Sequence, residues 1–302
     1  MPSRPTDHLG RGAASMVGAA LVFAVMSACV KVAARELPNT MVVFARNLAG
    51  LLWLAPWVLG SKRPSLRTER MGEHLLRAVA GIASMYCFFF AISRLGLAEA
   101  MLLNYSLPLF VPLVERVWLG EPIPAKIWPA LGLGSVGLAL ILKPGASMFQ
   151  PAALIGALSA LLSAIAQVGV RGLTRSEPVR RIVFYFTLFS TAIALFPASY
   201  QWVTPRIQLL PLLGLLGFCA IGGQLLLTRA YSLAPAVRVG PFMYSAVVFA
   251  ALFDWLLFRK VPDALTWGGA ACVVVAGVLA LRLRMAAPAS APPPLDAIGS
   301  ER

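Results

Sequence analysis

Charged side chains are scarce in this chain. Asp, Glu, Lys and Arg account for 13% of its 302 residues, whereas apolar residues account for 59%. A soluble domain is typically about a quarter charged, so this scarcity excludes an ordinary soluble protein. With a mean hydropathy of +0.79, the chain is predicted to be an integral membrane protein built from apolar spans of about 20 residues.

Residues that carry catalytic or metal chemistry are also few. Of the two histidines, His8 lies in a polar terminus and His74 at the predicted edge of a span. All four cysteines lie inside apolar runs without a CxxC pair, which argues against a disulfide framework and a zinc site. No Walker, HExxH or paired-carboxylate pattern occurs. We therefore expect no enzyme activity, no catalytic residues, no metal, no cofactor and no direct coupling to ATP.

Basic residues outnumber acidic ones and give a net charge of +14. They fall in short segments between apolar runs, as the positive-inside rule requires, so we expect no nucleic-acid partner. With an even number of spans, sixteen basic residues lie on the side of the termini and seven on the other, which predicts cytoplasmic termini. Ten spans are predicted, with nine as the competing count: 13–33, 40–60, 75–92, 97–118, 127–142, 152–171, 182–200, 209–228, 236–257 and 265–281.

The terminal segments differ from the spans between them. Residues 1–12 are polar and are predicted to be cytoplasmic. The first apolar run is too long for a signal peptide, so it is interpreted as a retained span. Residues 283–302 are rich in Ala, Pro and Ser and are predicted to form a disordered cytoplasmic tail.

The sequence contains an internal repeat at an offset of 139 residues. The segment AISRLGLAEAMLLNYSLPLFVPLVERVWLGE from Ala91 aligns without gaps on AYSLAPAVRVGPFMYSAVVFAALFDWLLFRK from Ala230. Both segments contain a Tyr-Ser pair followed nine residues later by an acid. The fourth span thus corresponds to the ninth. Because an offset of five spans is odd, the two halves are predicted to enter the membrane in opposite senses, as in many secondary transporters.

Several segments resemble the EamA-type branch of the drug/metabolite transporter superfamily. They are FARNLAG in the second span, AISRLGLAEA entering the fourth, WLGEPIPAKIWPALGLGSVGLALILKPG through the fifth, and AYSLAPAVRVGPF with WLLFRKVP in the second half. The resemblance implies ten transmembrane helices in two inverted five-helix repeats, 13–142 and 152–282, around a central cavity. One departure is Arg259-Lys260, where the family usually repeats the Gly-Glu found at 120–121.

Three charged residues within the spans are candidate substrate-binding residues, because ionisable groups in a membrane usually face a bundle interior or a water-filled path. Arg46 lies about 9 Å inside the second span and would anchor an anion, with a structural ion pair or snorkelling as the alternative. Glu99 would pair with Arg46, bind an amine or carry a coupling proton. Arg238 occupies the position of Glu99 in the second half. Glu115 and Asp254 are interpreted as interfacial ion-pair partners.

One side of the fourth span carries uncharged polar groups and prolines. Asn104, Pro108 and Pro112 recur at helical spacing, as do Tyr105 and the same prolines. Each proline removes a backbone donor and frees a carbonyl, so we expect a kinked helix whose polar side faces inward. A kink that only shapes packing is the alternative. Four further residues are candidates either for the cavity that the resemblance implies or for holding helices together: Tyr86, Gln167, Gln224 and Tyr244.

The segment GLGSVG, from Gly132 to Gly137, matches the GxGxxG pattern of dinucleotide-binding loops. It lies inside an apolar span and follows no strand. We therefore expect it to serve close helix packing instead.

These observations predict a secondary transporter of the bacterial inner membrane that moves a small polar or amphipathic organic metabolite by alternating access. An amino-acid-like compound is favoured, because the candidate charges could meet an amine and a carboxylate, and the resemblance favours export. The resemblance leaves open uptake of a nucleoside-like metabolite such as S-adenosylmethionine and export of an amino-acid-type metal chelator. A membrane-embedded transferase is a weaker alternative, since no acidic or histidine cluster marks a membrane face. Expected partners are the small-molecule substrate, the lipid bilayer and a coupling proton or ion, with the protein as a monomer or homodimer.

Overall fold

The computed structural model describes residues 9–59, 66–119, 128–142, 151–173, 176–233, 240–261 and 263–285, and every regular element among them is helical. Two short 3₁₀ helices, Ile207–Leu209 and Gly240–Tyr244, directly precede the α-helices that begin at Leu210 and Ser245. The α-helices in these ranges are α1 Leu9–Ala33, α2 Asn39–Leu59, α3 Met71–Arg94, α4 Leu97–Asn104, α5 Leu107–Leu119, α6 Trp128–Leu142, α7 Pro151–Leu173, α8 Val179–Tyr200, α9 Leu210–Leu233, α10 Ser245–Phe258 and α11 Ala264–Met285.

Six helical segments in the described ranges are long and apolar enough to cross a membrane. A helix suits this environment because it satisfies its backbone polar groups internally. The predicted all-helical architecture is confirmed for the described residues and fits a membrane protein, whereas the count of ten spans and the two inverted repeats stay predictions. The six segments are Gly10–Ala33, Asn39–Val58, Met71–Arg94, Pro151–Gly169, Arg180–Tyr200 and Ile207–Leu227, and shorter apolar ones are Leu97–Val111, Phe242–Phe258 and Ala264–Ala276.

The predicted fourth span is interrupted rather than continuous. A turn at residues 105–106 separates α4 from α5. Within this turn, the Ser106 hydroxyl donates a hydrogen bond of 2.6 Å to the carbonyl of Leu103. Pro108 lies in the first turn of α5, where its missing N–H costs no helical hydrogen bond. Because a helix break frees backbone groups, this part of the chain has to lie against protein or water rather than lipid.

The second half contains a corresponding break. The 3₁₀ helix Gly240–Tyr244 passes into α10 at Ser245, and the Ser245 hydroxyl donates a hydrogen bond of 2.7 Å to the carbonyl of Phe242. Ser106 and Ser245 are equivalent positions of the internal repeat, and so are Leu103 and Phe242. The same local hydrogen bond therefore occurs at equivalent positions in both halves.

Helices of one half pack mainly on helices of the other. α1 packs on α9 and α10, and α7 packs on α3, α4 and α5. α2 packs on α8 and α9, whereas α8 packs on α2 and α3. α6 packs on α11. The main apolar core, which draws on helices from both halves, therefore lies between them.

Glycine permits a close approach of α6 to α11. A Cβ atom on Gly137 would lie 2.8 Å from the carbonyl oxygen of Gly269 and 2.9 Å from the backbone nitrogen of Val273. Any side chain larger than hydrogen would push the two backbones apart. Gly132, in the same GLGSVG segment, has no atom within 4 Å of its Cβ position. The predicted packing role of this segment is thus confirmed for Gly137.

Candidate functional site

A cavity of about 250 Å³ lies between the two halves. Its walls come from α1, α2, α3 and the α4–α5 region in the first half, and from α7, α8, α9 and the 3₁₀ helix before α10 in the second. A largely apolar cavity with a few convergent polar groups is typical of a small-molecule site. The polar residues of the lining are Ser27, Arg46, Arg77, Ser84, Asn104, Tyr105, Ser163, Gln167 and Gln224.

Arg46 is held in this cavity by its neighbour in α2. The arginine is 4% exposed, and its Nη1 donates a hydrogen bond of 2.8 Å to Oδ1 of Asn47. Asn47 is itself fixed, because its Nδ2 donates a hydrogen bond of 2.8 Å to the carbonyl of Val43. The Nε of Arg46 is buried without a hydrogen-bond partner among the described residues. The guanidinium is therefore oriented by an amide and keeps an unused donor.

Arg77 is a second buried arginine in the lining, and the sequence analysis did not select it. It is 7% exposed, its Nη1 donates a hydrogen bond of 2.8 Å to the carbonyl of Ile182, and its guanidinium lies 4.5 Å from the ring centroid of Phe186. Arg77 lies only two residues inside the predicted third span, 75–92, and is one of the sixteen basic residues that the sequence analysis places on the side of the termini. The sequence signal that could have identified it is its position inside an apolar helical run, since α3 begins six residues earlier, at Met71.

Asn104 belongs to a hydrogen-bonded network between the halves. Its Nδ2 donates to the hydroxyls of Ser159 and Ser163 at 2.9 and 3.3 Å. The hydroxyl of Ser84 lies 2.7 Å from that of Ser163 and donates to the carbonyl of Ser159 at 2.8 Å. The network joins α3, α4 and α7. Asn104 therefore lines the cavity and also holds helices of the two halves together.

The structure brings together five of the nine residues predicted to bind substrate. They lie in the lining described above, on α2, α7, α9 and the end of α4 with the turn after it: Arg46, Asn104, Tyr105, Gln167 and Gln224.

The other predicted residues lie elsewhere or outside the described ranges. The hydroxyl oxygens of Tyr86 and Tyr244 are buried, have no hydrogen-bond partner among the described residues, and are not part of the cavity lining. Arg238 lies outside the described residues. Pro108 and Pro112 lie in α5, directly after the helix break.

Glu99 lies at the start of α4 and forms no ion pair with Arg46. The backbone N–H of Gly96 donates a hydrogen bond of 3.1 Å to Oε2 of Glu99, and the hydroxyl of Thr266 donates one of 3.4 Å to Oε1. The first contact caps the helix, and the second connects α4 with the start of α11. Glu99 therefore stabilises a helix terminus and is not among the residues that line the cavity.

Lys31 joins the two halves at one end of α3. Its ammonium donates hydrogen bonds of 2.9 Å to Oδ1 of Asp254 and 3.1 Å to the carbonyl of Leu95. Oδ2 of Asp254 accepts a hydrogen bond of 2.8 Å from the backbone N–H of Ala98. Asp254 is 1% exposed, and a buried carboxylate needs such partners. The predicted role of Asp254 as an ion-pair partner is confirmed.

A second set of contacts joins the halves at the opposite end of α3. Glu177, between α7 and α8, accepts hydrogen bonds of 2.7 Å from the Thr68 hydroxyl and 2.6 Å from Nη1 of Arg181. Nη1 of Arg70 donates one of 3.1 Å to Ser176. Burial raises the pKa of Glu177, but the hydrogen bonds from Thr68 and Arg181 and the charge of Arg181 more than offset this, so its pKa is lowered.

His74 lies near these contacts and is more deeply buried than the sequence predicted. Its predicted place was the edge of a span, but it is 1% exposed and its ring centroid lies 4.8 Å from that of Tyr185. The sequence could not reveal this burial, because the Tyr185 ring that covers it belongs to α8 in the other half.

The two sets of contacts lie at opposite ends of the helix bundle. α3 begins beside the Glu177 contacts and ends beside Leu95, and it has 24 residues. At the helical rise per residue it is about 36 Å long, enough to cross the hydrocarbon core of a bilayer. The cavity is lined by the middle part of α3, from Arg77 to Phe89, so it lies between the two sets of contacts.

An apolar all-helical chain with a cavity between its halves, lined by a few polar groups, fits the architecture of a multi-pass membrane transporter. The EamA-like transporter family matches this chain twice, over residues 10–143 and 150–282. The chain therefore belongs to the EamA-like transporter family, with one copy of the domain in each half, and the predicted resemblance is confirmed.

Individual relatives are named as transporters of several metabolites. The pseudopaline exporter of Pseudomonas aeruginosa is 34% identical over 282 residues, which cover 92% of this chain and 98% of the relative. The S-adenosylmethionine uptake transporter of Rickettsia bellii is 28% identical over 235 residues, covering 78% and 81%. The riboflavin transporter of Vibrio cholerae is 29% identical over 274 residues, covering 89% and 92%. These relatives support a metabolite transporter.

The fold is also found in a solved structure. A crystal structure of a protein superimposes on this chain with a TM-score of 0.60 at 18% sequence identity, and the match covers 88% of this chain and 98% of the other. At this identity the likeness concerns the fold alone.

Proposed function

We propose that this protein is a secondary transporter of the bacterial inner membrane that moves a small polar or amphipathic organic metabolite by alternating access. The observation that carries the proposal is the cavity, whose polar lining comes from both halves. Polar contacts join the two halves at both ends of the helix bundle, on either side of the cavity: Lys31–Asp254 at one end and Thr68–Glu177 at the other. A transporter needs such contacts to be broken at one end at a time.

In this proposal the two halves are inverted repeats. The packing supports it. When α1, α2, α3 and α6 are taken as equivalent to α7, α8, α9 and α11, the α1–α9 contact corresponds to the α7–α3 contact. In the same way, the α2–α9 contact corresponds to the α8–α3 contact, and the α6–α11 and α2–α8 contacts each correspond to themselves. The equivalent hydrogen bonds of Ser106 and Ser245 support it further.

Both termini are cytoplasmic in the proposed topology, as the distribution of basic residues favours. Lys31 and Asp254 then lie at the periplasmic ends of their helices, and Thr68 and Glu177 lie at the cytoplasmic side. Substrate passes from one side to the other when the Lys31–Asp254 contact and the Glu177 contacts open in turn. A proton or ion gradient, or the gradient of the substrate itself, supplies the energy.

The proposed direction is export, and an amino-acid-like compound or an amino-acid-type metal chelator is the favoured substrate. The pseudopaline exporter of Pseudomonas aeruginosa supports this choice, since its match covers nearly the whole of both chains. Uptake of a nucleoside-like metabolite is the second candidate, and the S-adenosylmethionine uptake transporter of Rickettsia bellii supports it.

The experiment is a flux measurement with purified protein. Liposomes that contain the protein are loaded with a small-molecule extract of bacterial cytoplasm, and protein-free liposomes serve as the control. We expect specific metabolites to leave only the protein-containing liposomes, as measured by mass spectrometry. Equal losses from both preparations would exclude transport. A chemical conversion of lipid or metabolite without any flux would instead support the transferase alternative.

A further inference from the structure

Two positive charges line the cavity without acidic partners. Arg46 and Arg77 both contribute to the wall and are both buried. None of the described residues that line the cavity is Asp or Glu. Neither arginine forms a salt bridge with any described residue, since their partners among these residues are an amide oxygen, a backbone carbonyl and an aromatic ring. Buried charges are usually paired, because an unpaired one is costly.

The unpaired donor of Arg46 is available to a ligand in the cavity. Its Nε is buried and has no hydrogen-bond partner among the described residues. Asn47 orients the guanidinium without neutralising it, since an amide carries no charge. Arginine is the side chain that best recognises carboxylate and phosphate groups, because its planar fork can donate two parallel hydrogen bonds. An anionic ligand group therefore suits this donor best.

The two arginines approach the cavity from opposite ends of the bundle. Arg46 lies seven residues, or about 10 Å, from the start of α2 at Asn39, and this start is at the end of the bundle where Lys31 lies. Arg77 lies six residues, or about 9 Å, from the start of α3 at Met71, and this start is at the end of the bundle where Glu177 lies. Because these ends are separated by the length of α3, the two arginines contribute to the cavity wall at different depths along the bundle.

The wall between them is apolar and aromatic. Phe23, Phe88, Phe89 and Phe186 contribute to it, and aromatic side chains offer flat apolar surface to a ligand. A ligand that matches this lining has an apolar or unsaturated middle part and acidic groups at its ends.

We infer that the transported substrate carries at least two separated acidic groups, carboxylate or phosphate, one paired with Arg46 and the other with Arg77. This inference rests on the proposed transport function and narrows its substrate class. It also changes the expectation from the sequence. Glu99, which would have met a substrate amine, lies at the start of α4 instead, so the charged groups in the described lining select for anions.

The flux experiment tests this inference through the chemistry of the metabolites that leave the liposomes. We expect these metabolites to carry two or more acidic groups. Neutral, cationic or monoacidic metabolites as the transported species would overturn the inference and leave the transporter proposal intact. Absence of any protein-dependent flux would contradict the transporter proposal itself, so the two failures are distinguishable.

Variants test the role of each arginine. We expect Arg46→Gln and Arg77→Gln each to lower the flux of a diacid at subsaturating concentration by about tenfold or more, the effect of losing one charged hydrogen-bond partner. Arg206→Gln is the matched control, because it removes the same charge from a side chain that is 77% exposed and lies outside the cavity. Equal flux in all three variants would overturn the inference.

Asn47→Asp is a second variant that keeps both arginines. It replaces the Oδ1 atom that lies 2.8 Å from Nη1 of Arg46 by a carboxylate oxygen, so it supplies the missing negative charge from the protein. We expect flux of the diacid to fall about as far as in Arg46→Gln. The variant also loses the hydrogen bond that Nδ2 of Asn47 donates to the carbonyl of Val43, so a thermal unfolding measurement checks that the purified protein is folded. Unchanged flux in a folded Asn47→Asp protein would contradict the assignment of Arg46 as an anion anchor.

Discussion

Lys31 in α1 and Asp254 in α10 form a salt bridge of 2.9 Å that joins the two halves of the chain. Both side chains are largely buried there, and the second carboxylate oxygen accepts the backbone N–H of Ala98 at the start of α4. Three helices from both family domains therefore meet at one carboxylate. Opening this end of the cavity requires the salt bridge to break.

Removing the charge of Asp254 should favour the conformation that is open at this end. Asp254→Asn leaves the Lys31 ammonium without its anion, and a buried charge that loses its partner is destabilising. We expect a cysteine at Ala98, which is 2% exposed, to react several-fold faster with a water-soluble thiol reagent in Asp254→Asn than in the parent. The measurement uses a background in which the four native cysteines are replaced.

Glu36→Gln is the control for this experiment, because Glu36 forms an exposed and longer ion pair of 3.8 Å with Arg206. Exposed pairs contribute little, so its labelling rate should equal that of the parent. Equal rates in Asp254→Asn and the parent would show that the salt bridge does not hold this end together.

The Glu177 contacts predict a pH dependence of stability. The pKa of Glu177 is lowered in the folded protein, so the ionised form is stabilised by folding. This contribution is fully present above the ordinary carboxyl pKa of about 4.5 and is lost as the pH falls below that value through the lowered pKa. Thermal unfolding in detergent between pH 7 and pH 3 measures it.

Glu177→Gln should lower the unfolding temperature at pH 7 and reduce its fall at acidic pH, because the variant has no charge to lose. Glu69→Gln, at an exposed residue of the same side, is the control and should keep the pH profile of the parent. A Glu177→Gln protein with an unchanged profile would contradict the structural role of this carboxylate.

Two glycines of the GLGSVG segment should respond differently to the same substitution. Gly137→Ala places a methyl group against the backbone of α11, and overpacking of this kind typically costs about 1–3 kcal/mol. Gly132→Ala meets no atom within 4 Å and should be neutral or slightly stabilising, since alanine favours the helix. Unfolding temperatures of the two variants check this, and equal effects would contradict the close α6–α11 packing.

Arg259 has the backbone conformation of a glycine. It ends α10 with a φ of 54°, in the left-handed region that L-residues other than glycine adopt at a cost. Arg259→Gly should therefore raise the free energy of unfolding by up to about 1 kcal/mol, whereas Arg259→Ala keeps the strained conformation and should not. Denaturation of the two variants distinguishes these outcomes, and equal stability would argue against strain at this position.

The sequence predicted those features that depend on local pattern. Apolar runs indicated the long helices, and the Tyr-Ser pairs of the repeat mark the places where the helices are interrupted in both halves. Residues such as Arg46 and Gln224 were recognisable as cavity candidates because polar groups are rare within spans.

Features that depend on contacts across the bundle were missed. Arg77 lies near the end of a span, and only its packing against Ile182 and Phe186 of α8 turns it into the cavity wall. For Glu99 the sequence left a pair with Arg46, a substrate amine and a coupling proton open, because it does not indicate whether an acid at a helix start binds a ligand or caps the helix. The partner of Lys31 is 223 residues away, and no periodicity connects them.

The most direct test of alternating access is to lock the Lys31–Asp254 end closed. Lys31→Cys and Asp254→Cys are combined in a background without native cysteines and joined by a reducible bifunctional thiol cross-linker. Metabolite flux from liposomes is measured before cross-linking, after it, and after reduction. The account predicts flux that is abolished by the cross-link and restored by reduction. Flux that continues through the cross-linked protein would contradict alternating opening between the two halves.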